Sequence, residues 1–251
     1  MKKFFSFILA GAMVISLSAC GDTKSQESSQ QESVSGSAQS YSEEVSSKEQ
    51  SQDEDSFAEI SSTSENNTSI LVAYFSYAEN AELPEGVDAS TTASIQLWNN
   101  ELTGNTGVVA NMIAEATGAN LFSIQTVEKY PDSYDETIDK GQEEQSADAR
   151  PELSNLPEDL DQYDVIFLGF PNWWGDMPMA IYSFLDSVDL SGKTVIPFVT
   201  SGGSGFSNSI SAIRSMEPEA TVQEGLSIRD ASVAEAQNDI DDWLTQLGYT
   251  E

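Results

Sequence analysis

Residues 165–176 read VIFLGFPNWWGD, and they decide the fold because an apolar run passes there directly into a loop of aromatic and small residues. Two other runs are nearly as apolar, ILVAYF at residues 70–75 and VIPFV at residues 195–199. Runs that are apolar on both faces are typical of strands buried inside a parallel sheet. We therefore expect these three segments to be the central strands of one sheet.

Two weaker segments, residues 121–125 and 222–228, alternate apolar with polar residues, as strands at sheet edges do. Helical apolar stripes lie between the strand segments, and they include Val108, Val109, Met112, Ile113, Ala180, Ile181, Phe184, Leu185, Val188, Ile240, Trp243, Leu244 and Leu247. This alternation predicts an α/β fold with a doubly wound, five-stranded parallel sheet of order 2-1-3-4-5 and helices on both faces. Pro197 cannot donate to a strand ladder, so we expect an irregularity at that point.

The composition of the 251 residues excludes several classes of site. The chain has no His, so Ser-His-Asp and Cys-His catalysis and imidazole metal ligands are ruled out. Its single Cys rules out an intrachain disulfide and a Cys-based zinc cluster. A formal net charge of −32 argues against nucleic acid as a partner, since phosphate binding needs a basic face.

The N-terminus predicts export and a lipid anchor. Lys2 and Lys3 precede an apolar run over residues 4–17, which fits a signal peptide and is too short for a stable membrane span. The residues LSACG at 17–21 resemble the bacterial lipoprotein cleavage box, and this resemblance implies a signal peptide over residues 1–19 and lipidation of Cys20. The alternative is an ordinary signal peptide with Cys20 as an incidental thiol.

Residues 20–68 are predicted to be the lipidated Cys20 and a disordered tether. After Cys20 the segment holds 15 Ser and 6 Gln, with 11 acidic residues and few large apolar ones. Such a composition cannot offset its chain entropy by burial. The remaining residues, 69–251, suit one domain.

Three loops follow the central strands, at the edge of the sheet where ligands bind in such folds. After the first strand come Ser76 and Tyr77, and then, beyond a 25-residue insert, a polar turn that opens a helix and presents donors to an anion. The candidate residues of that turn are Thr103, Gly104, Asn105 and Thr106. The loop after the third strand offers a flat aromatic face from Pro171, Asn172, Trp173, Trp174 and Gly175. The loop after the fourth strand lets a ligand approach the backbone at Thr200, Ser201, Gly202, Gly203, Ser204 and Gly205.

In this order, the motifs resemble those of the flavodoxin family over about residues 69–248. The split Ser76-Tyr77…Thr103-Gly104-Asn105-Thr106 is similar to the phosphate loop of that family, and the other two loops are similar to those that flank its isoalloxazine ring. The resemblance implies that FMN is the cofactor and that all three loops hold it. It also implies that neutral donors bind the phosphate, and none of the domain's six basic residues lies in these loops.

The insert, residues 78–102, is the main departure from the family pattern. The insert contains four large apolar residues, so we expect it to fold back over the site; they are Ile95, Leu97, Trp98 and Leu102. It would then either cover the phosphate and restrict solvent, or displace the loop geometry and weaken FMN binding, and we favour the first because residues 103–106 still open directly into the helix. Simpler interpretations stay open: a buried Trp pair, a plain Gly-rich connector, and Ser76 and Thr106 as a strand end and a helix cap.

These observations favour an FMN electron carrier, lipid-anchored on the outer side of the membrane. Its partners would be redox proteins, since 31 acidic against six basic residues in the domain steer encounters with basic surfaces. The first alternative is an FMN-dependent NAD(P)H reductase of quinones, nitro or azo compounds. The second is a flavin-free binding lipoprotein that retains the fold.

Overall fold

The structure is a computed structural model, and it describes residues 68–85 and 94–251. The signal peptide over residues 1–19, the lipidation at Cys20 and the tether up to residue 67 lie outside the described residues. Among the helices of the described part, none has both the length and the apolar character that a membrane crossing requires.

The sheet has a parallel path that runs β4-β1-β5-β6. Its central strands are β1 (Ile70–Tyr74), β5 (Val165–Pro171) and β6 (Thr194–Ser201). One edge is β4 (Asn120–Ser123), and the other edge is formed by β7 (Thr221–Val222) and β8 (Leu226–Arg229), which both pair with β6. The predicted order is confirmed, with the fifth strand split in two.

The split of the fifth strand lies opposite Pro197. Val195 pairs with Val222 and Phe198 with Leu226, so the edge strand has one more residue than β6 between these two pairs. The Val195 carbonyl accepts a hydrogen bond from Gln223, and since alternate residues of a strand face the same neighbour, Pro197 also faces this edge. The irregularity predicted for Pro197 therefore lies in the partner strand, while β6 stays continuous.

Helices cover both faces of the sheet, as predicted. On one face, α2 (Asn105–Thr117) and α6 (Gln237–Leu247) pack on the inner residues Val72, Phe167 and Phe198. On the other face, α4 (Met179–Ser187) and α5 (Ser209–Met216) pack on Leu71, Leu168 and Val199. The short α1 (Tyr77–Asn80) follows β1, and 3-10 turns cover Leu160–Gln162 and Asp230–Glu235.

The described part of the insert ends in an antiparallel hairpin of β2 (Ile95–Trp98) and β3 (Glu101–Gly104). Its turn residues Asn99 and Asn100 have φ of 50° and 68°, as a two-residue hairpin turn of the primed type requires. Ile95 is fully buried, whereas Leu97 and Leu102 are exposed. Thr103 and Gly104 therefore belong to a strand, and the helix opens one residue later, at Asn105.

One long helix was not expected from the apolar pattern. The helix α3 (Tyr134–Ser146) is mostly polar and buries only Thr137 and Gly141. Its start is capped by Ser133, whose hydroxyl accepts from the Glu136 amide and donates to the Glu136 carboxylate. That Ser-x-x-Glu signal is the feature of the sequence that could have located it.

Candidate functional site

A cavity of about 690 Å³ opens at the carboxyl ends of β1, β5 and β6. Ligand sites of proteins commonly have this size and place in open α/β sheets. Nine of the predicted cofactor residues line it: Tyr77, Asn105, Pro171, Asn172, Trp173, Trp174, Thr200, Ser201 and Gly202. The other lining residues are Ser94, Ile95, Gln96, Tyr134, Thr137, Ile138, Gly141, Asp230 and Ala231.

The remaining predicted residues lie behind the cavity wall or beside it. Ser76, Thr103 and Thr106 are buried. They and the other members of this group do not line the cavity: Gly104, Gly175, Gly203, Ser204 and Gly205. The structure thus brings the three predicted loops together, and the contacts among their residues show how each loop is held.

The two halves of the split loop meet in spite of the insert. A Cβ on Gly104 would lie 2.1 Å from the Ser76 Oγ, so glycine is what allows this approach. The Glu79 carboxylate links the two halves, because it accepts hydrogen bonds from the Thr103 hydroxyl and from the Tyr74 hydroxyl. Burial and the Glu79 charge raise the pKa of Tyr74, so its hydroxyl remains a donor. The insert therefore does not separate the two halves.

The first and third loops are joined at the base of the cavity. The hydroxyls of Thr106 and Thr200 are 2.8 Å apart and both residues are buried. The first turn of α2 has no side-chain cap, since its N-cap is Gly104. Unoccupied amides at a helix N-terminus favour an anion through their donors and the helix dipole. This end of the cavity can therefore hold a phosphate without a cationic side chain.

The second and third loops are joined by the side chain of Asn172. Its amide nitrogen donates to the Gly205 carbonyl at 2.8 Å and to the Ser207 hydroxyl at 3.0 Å, and its oxygen accepts from the Gly175 amide at 3.1 Å. Its backbone amide donates to the Thr200 carbonyl. One residue thus fixes the relative position of both loops beside the cavity.

The two tryptophans have different environments. Trp173 packs edge-on against Phe75 and Tyr130, with ring centroids 5.5 and 5.2 Å away, and belongs to the core as much as to the cavity. Trp174 is half exposed, with φ of 55°, and with Gly175 it forms a two-residue turn closed by hydrogen bonds between Trp173 and Asp176. A bulky residue seldom adopts such a φ, which costs on the order of 1–3 kcal/mol. Trp174 is therefore held in a strained position that places an aromatic face at the cavity.

Sequence reasoning missed the wall formed by α3. Tyr134, Thr137, Ile138 and Gly141 line the cavity, and the Trp174 indole donates to the Ile138 carbonyl at 3.2 Å. A Cβ on Gly141 would lie 3.2 Å from the Trp173 ring, so this glycine lets the helix approach. The wall beyond β8, with Asp230 and Ala231, was missed as well.

The cavity lining is almost uncharged. Asp230 is the one acidic or basic side chain among the described lining residues. Burial raises the pKa of Asp230 above its usual value, and a hydrogen bond from Asn105 opposes that shift. No group of three or more acidic or Cys side chains in residues 68–85 and 94–251 is arranged to hold a metal ion.

Comparison with known proteins agrees with this architecture. A family model described as flavodoxin matches residues 99–247. A candidate flavoprotein from Bacteroides eggerthii shares 27% identity with a TM-score of 0.56, over 72% of this chain and 99% of its own. A second, from Bacteroides uniformis, shares 29% identity with a TM-score of 0.54, over 71% and 98%. A Lactobacillus acidophilus flavoprotein, solved in complex with FMN, shares 20% identity with a TM-score of 0.48, over 68% and 99%. No curated protein matched.

The family match covers more than half of the chain, and it spans the helix N-terminus, the tryptophan loop and the loop after β6. It agrees with the strand order and with the placement of the three loops around one cavity. The chain belongs to the flavodoxin family.

Proposed function

We propose that this protein binds FMN in the cavity and transfers electrons through it. The observation that carries the proposal is the convergence of the three loops on one cavity whose described lining has no basic side chain, with an uncapped helix N-terminus at one end and Trp174 at the other. The flavodoxin family match supports it.

The residues present fit the phosphate of FMN. The Ser76 Oγ is buried without a hydrogen-bond partner among the described residues, and it lies beside Gly104 at the start of α2. A buried hydroxyl of this kind carries a desolvation cost until it finds a partner. Asn105, which lines the cavity, and the first amides of α2 would hold the phosphate by neutral donors, with the Ser76 hydroxyl directly behind them.

The residues at the other end fit a planar ring. Trp174 and Tyr134 expose about half or more of their surface beside the cavity, and Gly202 leaves the backbone after β6 open. Aromatic side chains and exposed backbone amides are suited to contact a flat heteroaromatic group. FMN bound there would supply one- and two-electron chemistry, while the chain positions the ring and limits its contact with water.

The lining favours an electron carrier over a substrate-specific reductase. The chain has no His, and among the described lining residues Asp230 is the single ionisable group besides tyrosine. Proton transfer to a bound substrate in an enzyme uses a positioned acid or base. A carrier needs none, because it exchanges electrons with partner proteins. We expect these partners to be basic, since opposite charge accelerates encounter with an acidic domain.

The test is a titration of the full chain with FMN, read by flavin absorbance and fluorescence. We expect binding by the wild type and about 10-fold weaker binding by Asn172→Ala, because ordering the second and third loops around the ligand without this side chain should cost the complex about 1.4 kcal/mol. The matched control is Asn155→Ala, an exposed amide outside the cavity, which should bind like the wild type. Absence of FMN binding by the wild type contradicts the proposal and favours a flavin-free binding protein.

A second measurement separates carrier from reductase. The FMN-loaded protein is mixed with NADH or NADPH and a soluble quinone, and nicotinamide oxidation is followed. We expect no sustained turnover, whereas a reduced electron-transfer protein should be reoxidised by the loaded chain. Sustained turnover would assign a reductase instead.

We also propose that the domain is anchored to the outer side of the membrane through Cys20. The LSACG box at residues 17–21 and the uncharged apolar run before it support this proposal. Two or three acyl chains provide firm attachment at about 0.8 kcal/mol per buried CH₂. We expect Cys20→Ser to move the protein from the membrane fraction to the soluble fraction in a bacterial host. Ser18→Ala, in the same box, is the control and should stay with the membrane. Retention of the Cys20→Ser protein on the membrane would show that lipidation is not the anchor.

A further inference from the structure

Asp230 is the one charged side chain that the described cavity lining contains, and its sign is the same as that of a phosphate. It follows β8 directly and opens the 3-10 turn Asp230–Glu235. Its position at the carboxyl end of the fifth strand places it at the same edge of the sheet as the three loops. The carboxylate therefore belongs to the cavity without belonging to any of the three loops.

Asp230 lies near the start of α2. The 3-10 turn that it opens contacts α2, and Asp230 and Asn105 line the same cavity. The Gln96 amide nitrogen donates to the Asn105 side-chain oxygen at 2.8 Å, which fixes Asn105 at this end of the cavity. Asn105 is the first residue of α2, where an anion would meet the helix amides.

No positive side chain balances Asp230 within the described residues. The ion pairs there involve Lys140 with Glu128, and Arg150 with Asp148 and Asp186. Arg229 is adjacent in sequence, but it is exposed and makes no ion pair. No ion pair among the described residues compensates the charge of Asp230, and its field extends into a cavity that water would leave when a ligand enters.

Resting on the proposed function, we propose that Asp230 sets the cofactor preference of this cavity by repelling the phosphate of FMN. The amides of α2 attract the phosphate, while the carboxylate beside Asn105 opposes it. Riboflavin has the same ring and side chain without the phosphate, so its binding does not meet this repulsion. The affinity for FMN therefore exceeds the affinity for riboflavin by a smaller factor than the uncapped N-terminus of α2 alone would give.

The test compares FMN and riboflavin binding to the full chain carrying Asp230→Asn or Asp230→Ala. We expect both variants to bind FMN about 10-fold more tightly than the wild type, because a phosphate of about −1.5 to −2 charge no longer faces a carboxylate. Riboflavin affinity should change less than about twofold, since that ligand is uncharged. The control is Asp242→Asn, an exposed residue of α6 that changes the net charge equally.

Each other outcome overturns the inference. If both variants weaken FMN and riboflavin alike, Asp230 accepts a hydrogen bond from the shared part of the ligands. If affinity is unchanged, or if Asp242→Asn gives the same gain, the local charge does not matter. The inference fails while the proposed function stands when the wild type binds FMN and the variants bind it no better. Both fail when neither the wild type nor the variants bind FMN. Thermal unfolding of each apo protein confirms that the variants fold.

Discussion

Phe167→Ala is expected to destabilise the protein by about 3–5 kcal/mol, the range for removing a large aromatic side chain from a core. Phe167 lies in the middle of β5, is fully buried and pairs in register with Val72 and Ile196 on both sides. Its ring meets those of Trp243 and Tyr249 edge-on, each with centroids 5.5 Å away. The cavity left by alanine would lie between the sheet and α6, and rigid strands on both sides limit its collapse.

The free energy of unfolding of the full chain in urea, followed by tryptophan fluorescence, measures this effect. Leu121→Ala on the edge strand β4 is the control, because 43% of Leu121 is already exposed. We expect that control to cost less than about 1 kcal/mol, since little apolar surface returns to water. Equal losses in the two variants would contradict the placement of β5 at the centre of the sheet.

Gly225→Ala is expected to destabilise the protein by about 3 kcal/mol, the upper part of the range for overpacking. A Cβ on Gly225 would lie 2.0 Å from the Pro197 carbonyl oxygen and 2.6 Å from the Phe206 ring. The first of these atoms is backbone of the continuous strand β6, so no side-chain rotation relieves the collision. The edge strand would have to move away from β6, and the pairing of β8 would weaken.

Gly202→Ala is the matched control for Gly225→Ala. Neither glycine has a left-handed φ, and a Cβ on Gly202 meets nothing within 4 Å. Replacing glycine by alanine at such a site stabilises the folded protein by about 0.4–1 kcal/mol, because alanine lowers the conformational entropy of the unfolded chain. Chemical denaturation should therefore give opposite signs for the two variants, and the same sign would show that Gly225 has room for a side chain.

The central strands and the helix stripes were predictable because their residues are buried on a regular period. The runs that became β1, β5 and β6 are apolar at nearly every position, and this reports burial on both faces before any contact is known. The three loops followed from the topology, since the carboxyl ends of parallel strands share an edge. The family resemblance then gave the ligand that such loops hold.

Other parts of the site depend on contacts that the local sequence does not report. The helix α3 was missed because its two buried residues, Thr137 and Gly141, form no apolar stripe. Trp174 could not be placed in a left-handed turn, since its own preference opposes that φ. The place of Asp230 at the cavity depends on where β8 ends, and the extra residue opposite Pro197 shifts that end. In each case tertiary packing decides what the residue contacts.

The hairpin and α2 are one continuous piece of chain, because β3 ends at Gly104 and α2 begins at Asn105. With no linker between them, an outward displacement of β3 would also displace the first turn of α2, where the Thr106 and Thr200 hydroxyls are 2.8 Å apart. Under the proposed function we therefore expect a phosphate compound held by the amides of α2 to dissociate slowly, because its release would disturb this buried contact with β6.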